Sequence, residues 1–235
     1  MKIALIGYGK MGRMIEEVAR SRGFEIAERF EVDRPLRSDR ATRCALQDVE
    51  VLVDFSVPQA VLKNIQACVD LSIPLVEGTT GWHQHVDKAR DMILKSDGGM
   101  VYASNFSLGI HLFYKMVEYA GEIFKSFDMY DPFIEESHHK MKKDAPSGTA
   151  LVLKNILEKK YKKREIPVTS VRAGYIPGKH AVSFDSTVDT VCLEHTTRTR
   201  EGFAEGALLA VQWIAGRRGF YEFQEVLEAF LRERK

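Results

Sequence analysis

Cysteine, net charge and long apolar runs are what this 235-residue sequence has least of, and each shortage excludes a class of protein. The three cysteines, Cys44, Cys68 and Cys192, are odd in number, far apart and without metal-ligand spacing. A disulfide scaffold and a cysteine-based metal knuckle are thereby excluded, and reduced, buried thiols in a cytoplasmic protein are expected. Thirty-four Lys and Arg against 33 Asp and Glu leave a formal charge of +1, so no global field recruits nucleic acid or an anionic membrane. Apolar runs never approach the roughly 20 residues of a membrane span. The first, Ile3-Ala4-Leu5-Ile6, ends at Gly7 and suits a buried strand rather than a signal peptide. Internal repeats are absent, and the one compositionally odd patch is the lysine-rich segment 154–165.

What is present is an alternation. Over the first hundred residues, short apolar runs at 3–6, 24–30, 51–55, 75–76 and 100–103 predict strands, and helical patterns at 11–22, 59–71 and 83–95 lie between them. Strands that alternate with helices predict a parallel sheet covered on both faces. Beyond it, Leu108, Leu112, Met116, Tyr119 and Ile123 trace a helical pattern within 107–127. A strand at 133–136, a helix from 148 to about 161, and strands at 168–172, 180–184 and 190–195 predict a second, mixed sheet of four strands. Val182, Phe184, Val191 and Leu193 make its later strands partly apolar, so its open face is a candidate assembly surface. Helices near 202–213 and 223–232 close the chain.

Gly7-Tyr8-Gly9-Lys10-Met11-Gly12 follows the first strand and opens the first helix, the context a dinucleotide fingerprint requires. Gly7 serves the tight turn, Gly9 the close approach of backbone to a pyrophosphate, and Gly12 the helix–strand packing. The plain alternative is a glycine-rich βα turn. An acidic residue about 20 positions further on is expected at the adenosine ribose, and Glu31 stands there with Asp33 as runner-up. Lys10, Arg13 and Arg34 are near enough in sequence to meet a 2′-phosphate, so NADPH stays open beside NADH. The loops after the third and fourth strands, Asp54 to Pro58 and Glu77 to Gly81, fall on the same side, because ligands of open α/β sheets sit at the carboxyl ends of the strands. His83 and His85 share the spacing of some metal pairs, but two positions apart at a helix start they diverge, and no metal site is expected.

The densest chemistry lies in Ser137-His138-His139-Lys140-Met141-Lys142-Lys143-Asp144-Ala145-Pro146-Ser147-Gly148-Thr149-Ala150, where a strand runs into a helix. Pro146 breaks any preceding helix and Ser147 suits the cap of the next, which leaves the first-turn N–H groups of Gly148 and Thr149 at the positive end of its macrodipole. Cations beside such a helix start form an anion site, and a histidine within it is a proton donor near neutral pH. Read blandly, the lysines are a solvated run, His139 is a core histidine, and Ser147 is only a cap.

The string from Glu136 to Ala150, Glu-x-His-His-x-x-x-Lys-x-Asp-Ala-Pro-Ser-Gly-Thr-Ala, closely resembles the signature of the dihydrodipicolinate reductase (4-hydroxy-tetrahydrodipicolinate reductase) family of lysine and diaminopimelate biosynthesis. Arg172-Ala173-Gly174, Gly178-Lys179-His180 and Phe203 to Ala207 extend the resemblance over nearly the full chain; Ala173 stands where glycine is common, and the pyrophosphate loop is one residue shorter than in many relatives. The resemblance implies a Rossmann-like domain from 1–106 and 201–235, and a substrate-binding and oligomerisation domain from 107–200 that builds a homotetramer. It implies NADH or NADPH as hydride donor, with Gly78, Thr79 and Thr80 along the nicotinamide and Ser104, Asn105 and Phe106 on a second cofactor loop. His138 is then the general acid and Lys142 its companion cation. His139, Gly148 and Thr149 would grip a small dicarboxylate substrate, with Lys143 as a weaker addition. A different nicotinamide-dependent oxidoreductase and a non-catalytic dinucleotide sensor are the rival readings, since fold does not fix function. The sensor is disfavoured by the retained His138 and Lys142 and by the want of a basic recognition helix.

Overall fold

The computed structural model describes residues 1–162 and 164–233. The chain forms two compact units, Met1–Ser107 with Glu201–Lys235, and Leu108–Arg200. In chain order the first unit opens with β1 (Lys2–Ile6), α1 (Lys10–Ser21), β2 (Glu25–Phe30), α2 (Arg40–Ala45), β3 (Val51–Asp54) and α3 (Val61–Leu71). It continues through β4 (Leu75–Glu77), a 3-10 turn (His83–His85), α4 (Val86–Lys95) and β5 (Gly99–Tyr102). The second unit holds α5 (Leu108–Phe124), β6 (Asp131–His138), α6 (Gly148–Lys160), β7 (Val168–Arg172), β8 (Lys179–Asp185) and β9 (Thr190–Thr196). The chain then returns to the first unit with α7 (Glu201–Ile214), β10 (Gly219–Glu222) and α8 (Phe223–Glu233).

The first unit is a six-stranded, all-parallel sheet in the order β10-β5-β4-β3-β1-β2. Its inner strands are short and buried throughout because helices cover both faces: every residue of Val51–Asp54 and Leu75–Glu77 is buried, the apolar runs each ending in a carboxylic residue. α1 packs on α7, and α3 on α4. α7 is apolar on nearly all sides, burying eight of its 14 residues, as a helix wedged over a sheet must.

Two elements of this unit were not expected from the sequence. α2 buries none of its residues and so carries no apolar period, and β10 is an edge strand that buries only Phe220. Cys44 and Cys192 are exposed, so the expectation of buried thiols holds for Cys68 alone. Among the described residues no helix is long and apolar enough to cross a membrane.

The second unit is a mixed sheet in the order β7-β6-β8-β9, with β6 parallel to β7 and antiparallel to β8. α5 and α6 cover one face, and Phe113, Val117, Ile134, Leu153, Leu157, Val182 and Phe184 fill the space beneath. Val182 and Phe184 belong to this core, and the uncovered face carries Glu135, Thr169, Val171, Cys192 and Glu194. The helical stripe read along α5 is also displaced: Ile110, Phe113, Val117 and Gly121 are the buried set, whereas Leu112, Met116, Tyr119 and Ile123 are exposed.

Close packing around α7 yields a test. A Cβ on Gly206 would strike the Phe106 carbonyl and lie 3.2 Å from the Phe223 ring, while one on Gly202 would meet nothing nearer than Ser107 Oγ at 3.9 Å. Gly206→Ala is expected to destabilise by about 1–3 kcal/mol through overpacking, whereas Gly202→Ala stays within about 0.5 kcal/mol of the parent. Denaturant midpoints at unchanged m-value check this pair.

Candidate active site

Strand periodicity assembles the core of the site. Side chains two apart share a face, so the alternation that buries Ile134 carries Glu136 and His138 to the same side of β6. Register does the rest: His180 stands opposite Glu136 on β8, and Arg172 opposite His138 on β7.

Glu136 is the hub. Arg172 grips it with both arms of its guanidinium, Nη1 to Oε2 at 2.8 Å and Nη2 to Oε1 at 2.7 Å, and Nη2 also donates to the Asp144 carbonyl at 2.6 Å. The Ser147 N–H donates to Oε1 at 3.2 Å, and His138 Nδ1 makes a short contact with Oε2. Burial pushes this carboxyl up, but the hydrogen bonds from Arg172 and His138 prevail and hold it at about 2, so it is ionised throughout the physiological range.

An ionised Glu136 at Nδ1 fixes the His138 tautomer: Nδ1 carries the proton bound to the carboxylate, and Nε2 is left for chemistry. Nε2 faces Gly178, where a Cβ would stand 3.3 Å away. Burial lowers the His138 pKa below 6.5; Glu136 opposes that, and the charges of Lys142 and Arg172 add to it. His180 crosses His138 edge to face with centroids 5.1 Å apart, and its Nε2 lies 3.0 Å from Ser147 Oγ. Burial and the neighbouring His138 press His180 down to about 4.

The loop beyond β6 brings the remaining candidates alongside. Ser147 caps α6, its Oγ accepting from Ala150 N–H at 3.2 Å, which leaves the Gly148 and Thr149 N–H groups of the first turn for an anion. Lys142 Nζ pairs with Asp144 at 2.8 Å, and its N–H donates to the His139 carbonyl at 3.1 Å. His139 is half-buried, Lys143 is exposed, and Lys140 is exposed with its Nζ over the Tyr175 ring. His83 and His85 join no ligand cluster; among the described residues the group with metal-ligand geometry is Glu136, His138 and His180, whose carboxylate is already taken up by Arg172.

Sequence reasoning named His138 and Lys142 but gave no role to Glu136 or Arg172, and left His180 between a plain strand position and a ligand. The alternation of Glu136 with His138 was a usable signal; the pairing with Arg172 needed the β6–β7 register.

In the first unit, Gly7 takes φ +84° against the Phe55 carbonyl, and a side chain on Gly12 would strike the Gly7 carbonyl. A Cβ on Gly9 would meet nothing within 4 Å, and α1 starts there with no side-chain cap and no acidic residue in its first turn. Open space over uncapped N–H groups of Lys10, Met11 and Gly12 fits a pyrophosphate. Glu31 is exposed just past β2; Arg34 pairs with Glu28, and Arg29 with Glu16, so part of the nearby positive charge is already engaged. Thr80 and Ser104 are exposed and Asn105 half-buried, while Gly78 and Thr79 are buried and the Thr79 hydroxyl turns inward toward Asp54. Phe106 is a core residue packed on Phe55 and Phe223, which leaves the backbone of its loop for a ligand.

Residues 1–106 match the family model for the dihydrodipicolinate reductase N-terminus, and residues 109–227 match that for its C-terminus. The chain is 37% identical over 238 residues to a 4-hydroxy-tetrahydrodipicolinate reductase of Christiangramia forsetii, covering 97% of this chain and 98% of the relative. An enzyme of the same name from Archaeoglobus fulgidus is 31% identical over 265 residues, covering 97% and 100%. Among solved structures, dipicolinate-bound dihydrodipicolinate reductase from Paenisporosarcina sp. TG-14 superposes with a TM-score of 0.81 at 20% identity, over 96% of this chain and 98% of that one. An amine dehydrogenase from Mycobacterium smegmatis shares the fold with a TM-score of 0.62 at 6% identity, over 95% of each chain.

The protonation states predict an acid limb of stability. His180 titrates near 6.5 when unfolded and at about 4 when folded, so the unfolded chain binds the extra proton between those values. Stability is full above 6.5 and falls with pH through this window, by up to about 1.4 kcal/mol per pH unit for one proton. The Glu136 contribution is full above 4.5 and drains as pH falls toward about 2. Chemical denaturation from pH 7 downward should show both limbs, and His180→Asn should flatten the upper one.

Proposed function

The chain belongs to the dihydrodipicolinate reductase family, and from that premise we propose that it uses NADH or NADPH to reduce 4-hydroxy-tetrahydrodipicolinate to tetrahydrodipicolinate, with His138 giving the proton. The product is an intermediate of lysine and diaminopimelate biosynthesis. When bound, the nicotinamide supplies the hydride; the protein binds, orients and protonates. The observation that carries the proton's assignment is the buried chain Arg172–Glu136–His138.

Loss of the 4-hydroxyl as water leaves a conjugated imine; hydride arriving at one end of it drives electron density to the other, where a proton must meet it. His138 Nε2 is the atom that delivers it, because Nδ1 is committed to Glu136. Arg172 keeps Glu136 ionised, and Glu136 in turn favours the imidazolium and fixes the plane of the ring. Lys142 is the companion cation, for which a substrate carboxylate competes with Asp144. His139, with the Gly148 and Thr149 donors at the start of α6, grips the carboxylates. Cofactor contacts come from Gly7, Gly9, Lys10, Met11, Gly12 and Glu31, and from the loops Gly78–Thr80 and Ser104–Phe106. The first unit serves as the dinucleotide-binding domain and the second as the substrate-binding and oligomerisation domain. The uncovered face of the second sheet, with its open edges β7 and β9, is the assembly surface of a homotetramer.

The direct test follows NAD(P)H absorbance with the substrate generated in situ. His138→Gln should lower kcat by roughly 10²–10⁴ with a smaller change in KM, the usual worth of general acid catalysis. Near-native kcat in that variant would move the proton to another donor. For the parent enzyme, kcat/KM should fall as pH rises through a value below 6.5, and Glu136→Gln should move that break lower still, because the carboxylate is what raises His138.

Assembly is tested separately by sedimentation, with a tetramer expected. A stable monomer at micromolar concentration would refute it.

A further inference from the structure

Two carboxyl groups outside the proton-delivery site have no exposed surface and no evident task. Asp54 ends β3 and Glu77 ends β4, and the two are register partners in the parallel sheet. Among the described residues, no lysine, arginine or histidine pairs with either. Donors converge on Asp54: Ser56 N–H at 2.9 Å and Thr79 Oγ1 at 3.4 Å on Oδ1, and Asn64 Nδ2 at 2.7 Å on Oδ2. Glu77 has one, the Thr79 N–H at 2.7 Å on Oε1, and its Oε2 is buried without a partner.

Two adjacent charges in a dry, cation-free site repel strongly and lack the solvation to offset it. The better-solvated carboxyl keeps the charge and the other keeps a proton. We propose that Glu77 is a neutral carboxylic acid beside an ionised Asp54, and that this one-proton pair is a positioning device holding the Ser56 and Thr79 turns in the form that receives the cofactor. The proposal rests on the cofactor reading of the Gly78–Thr80 loop and goes beyond it by assigning the buried groups beneath that loop.

Both turns hang from the pair by short bonds. Asp54 holds Ser56, Glu77 holds the Thr79 amide, and Ser56 N–H also reaches Thr79 Oγ1 at 3.1 Å, so the two loops are tied to each other as well. Losing the Glu77 proton sets two charges side by side at the strand ends and draws water beneath the loops. Burial first, and the Asp54 charge second, push Glu77 well above the usual carboxylate range. The other titratable groups around the pair do not offset a second charge. From α3, Cys68 is held neutral by burial; on β5 the register partner is the Tyr102 phenol, which burial also raises; α7 turns only uncharged residues into the core, and its Glu205 pairs with Arg22 at 2.5 Å.

Infrared difference spectroscopy on the full chain without cofactor reads the proton directly. A protonated-carboxyl carbonyl band is expected at pH 7, absent from Glu77→Gln and lost from the parent as pH rises. The dissociation constant of NADH, by fluorescence between about pH 6 and about pH 10, should rise by up to about tenfold per pH unit beyond that titration in the parent, the linkage limit for one proton. In Glu77→Gln, where the neutral state is permanent, the same range should change it less than about twofold. A parent spectrum without the band, a band that survives in Glu77→Gln, or a pH slope shared by both proteins or absent from both overturns the proposal. If Glu77→Gln fails to fold, the parent still decides: band and affinity must be lost together. Failure to bind NADH at pH 7 would refute the cofactor reading instead, and the band, measured without cofactor, keeps the two failures apart.

Discussion

A carboxylate with no exposed surface, Glu136, holds the second unit's chemistry together, and it is tolerable only because Arg172 meets it with two parallel hydrogen bonds. Burying an unpaired charge costs several kcal/mol; a bidentate guanidinium with further donors recovers much of that and, more usefully, fixes directions. From this one anchor the geometry spreads three ways. His138 is oriented through Nδ1, the start of α6 is held through the Ser147 N–H, and the loop between them is tied down through the Asp144 carbonyl. The proposed proton donor on a strand end, a helix start with free first-turn N–H groups and a basic loop are separate elements of sequence, and the Arg172–Glu136 pair ties them into one site.

Glu77 shows the same residue type solving burial the other way. Glu136 has a cation and stays ionised, whereas Glu77 has only a second buried carboxyl, Asp54, for company and is pushed toward the neutral form. The contrast follows from the folds of the two units. In the mixed sheet a polar strand pattern brings Arg172 into register with the site, but in the all-parallel sheet β3 and β4 are buried along their whole length and carry no basic residue, so no cationic side chain of these strands pairs with the two carboxyls. What the parallel sheet offers is backbone and short polar side chains at its carboxyl ends, and these suffice for a loop scaffold provided the net charge is kept to one.

Legibility in the sequence tracks how local each feature is. The glycine fingerprint, the strand–helix alternation and the His138 to Thr149 string are contiguous, and their physical jobs are readable residue by residue. β10 was hidden because it pairs with β5 across the whole second unit and buries a single phenylalanine, and α2 because a short helix with no buried face has no period. The face of α5 was misjudged for the opposite reason: the helix is apolar on several sides, so two stripes of helical spacing coexist and only packing against α6 selects Phe113 and Val117. Which face of the second sheet the helices cover was likewise not legible, since period two gives two faces without saying which one is packed, and Val182 and Phe184 turn out to lie beneath α5 and α6. The site divides likewise. His138 and Lys142 stand in one string, while Arg172 and His180 come from other strands and become visible only through register.

Register also explains why a histidine with a lowered pKa suits the proton donor's post. In the free protein, burial and the charges of Lys142 and Arg172 outweigh Glu136, and the imidazole is mostly neutral at pH 7. Two of those opposing influences are electrostatic, and a dicarboxylate brings the opposite sign. Carboxylates set against Lys142 and the start of α6 cancel the cationic field at Nε2 while leaving Glu136 in place at Nδ1, so the balance tips toward the imidazolium when substrate is present. On the proposed reading, proton uptake is thereby coupled to substrate binding, and burial together with the cations that would meet the dicarboxylate keeps the donor from being charged before it arrives. An exposed histidine, titrating near its ordinary value, would lack that ordering.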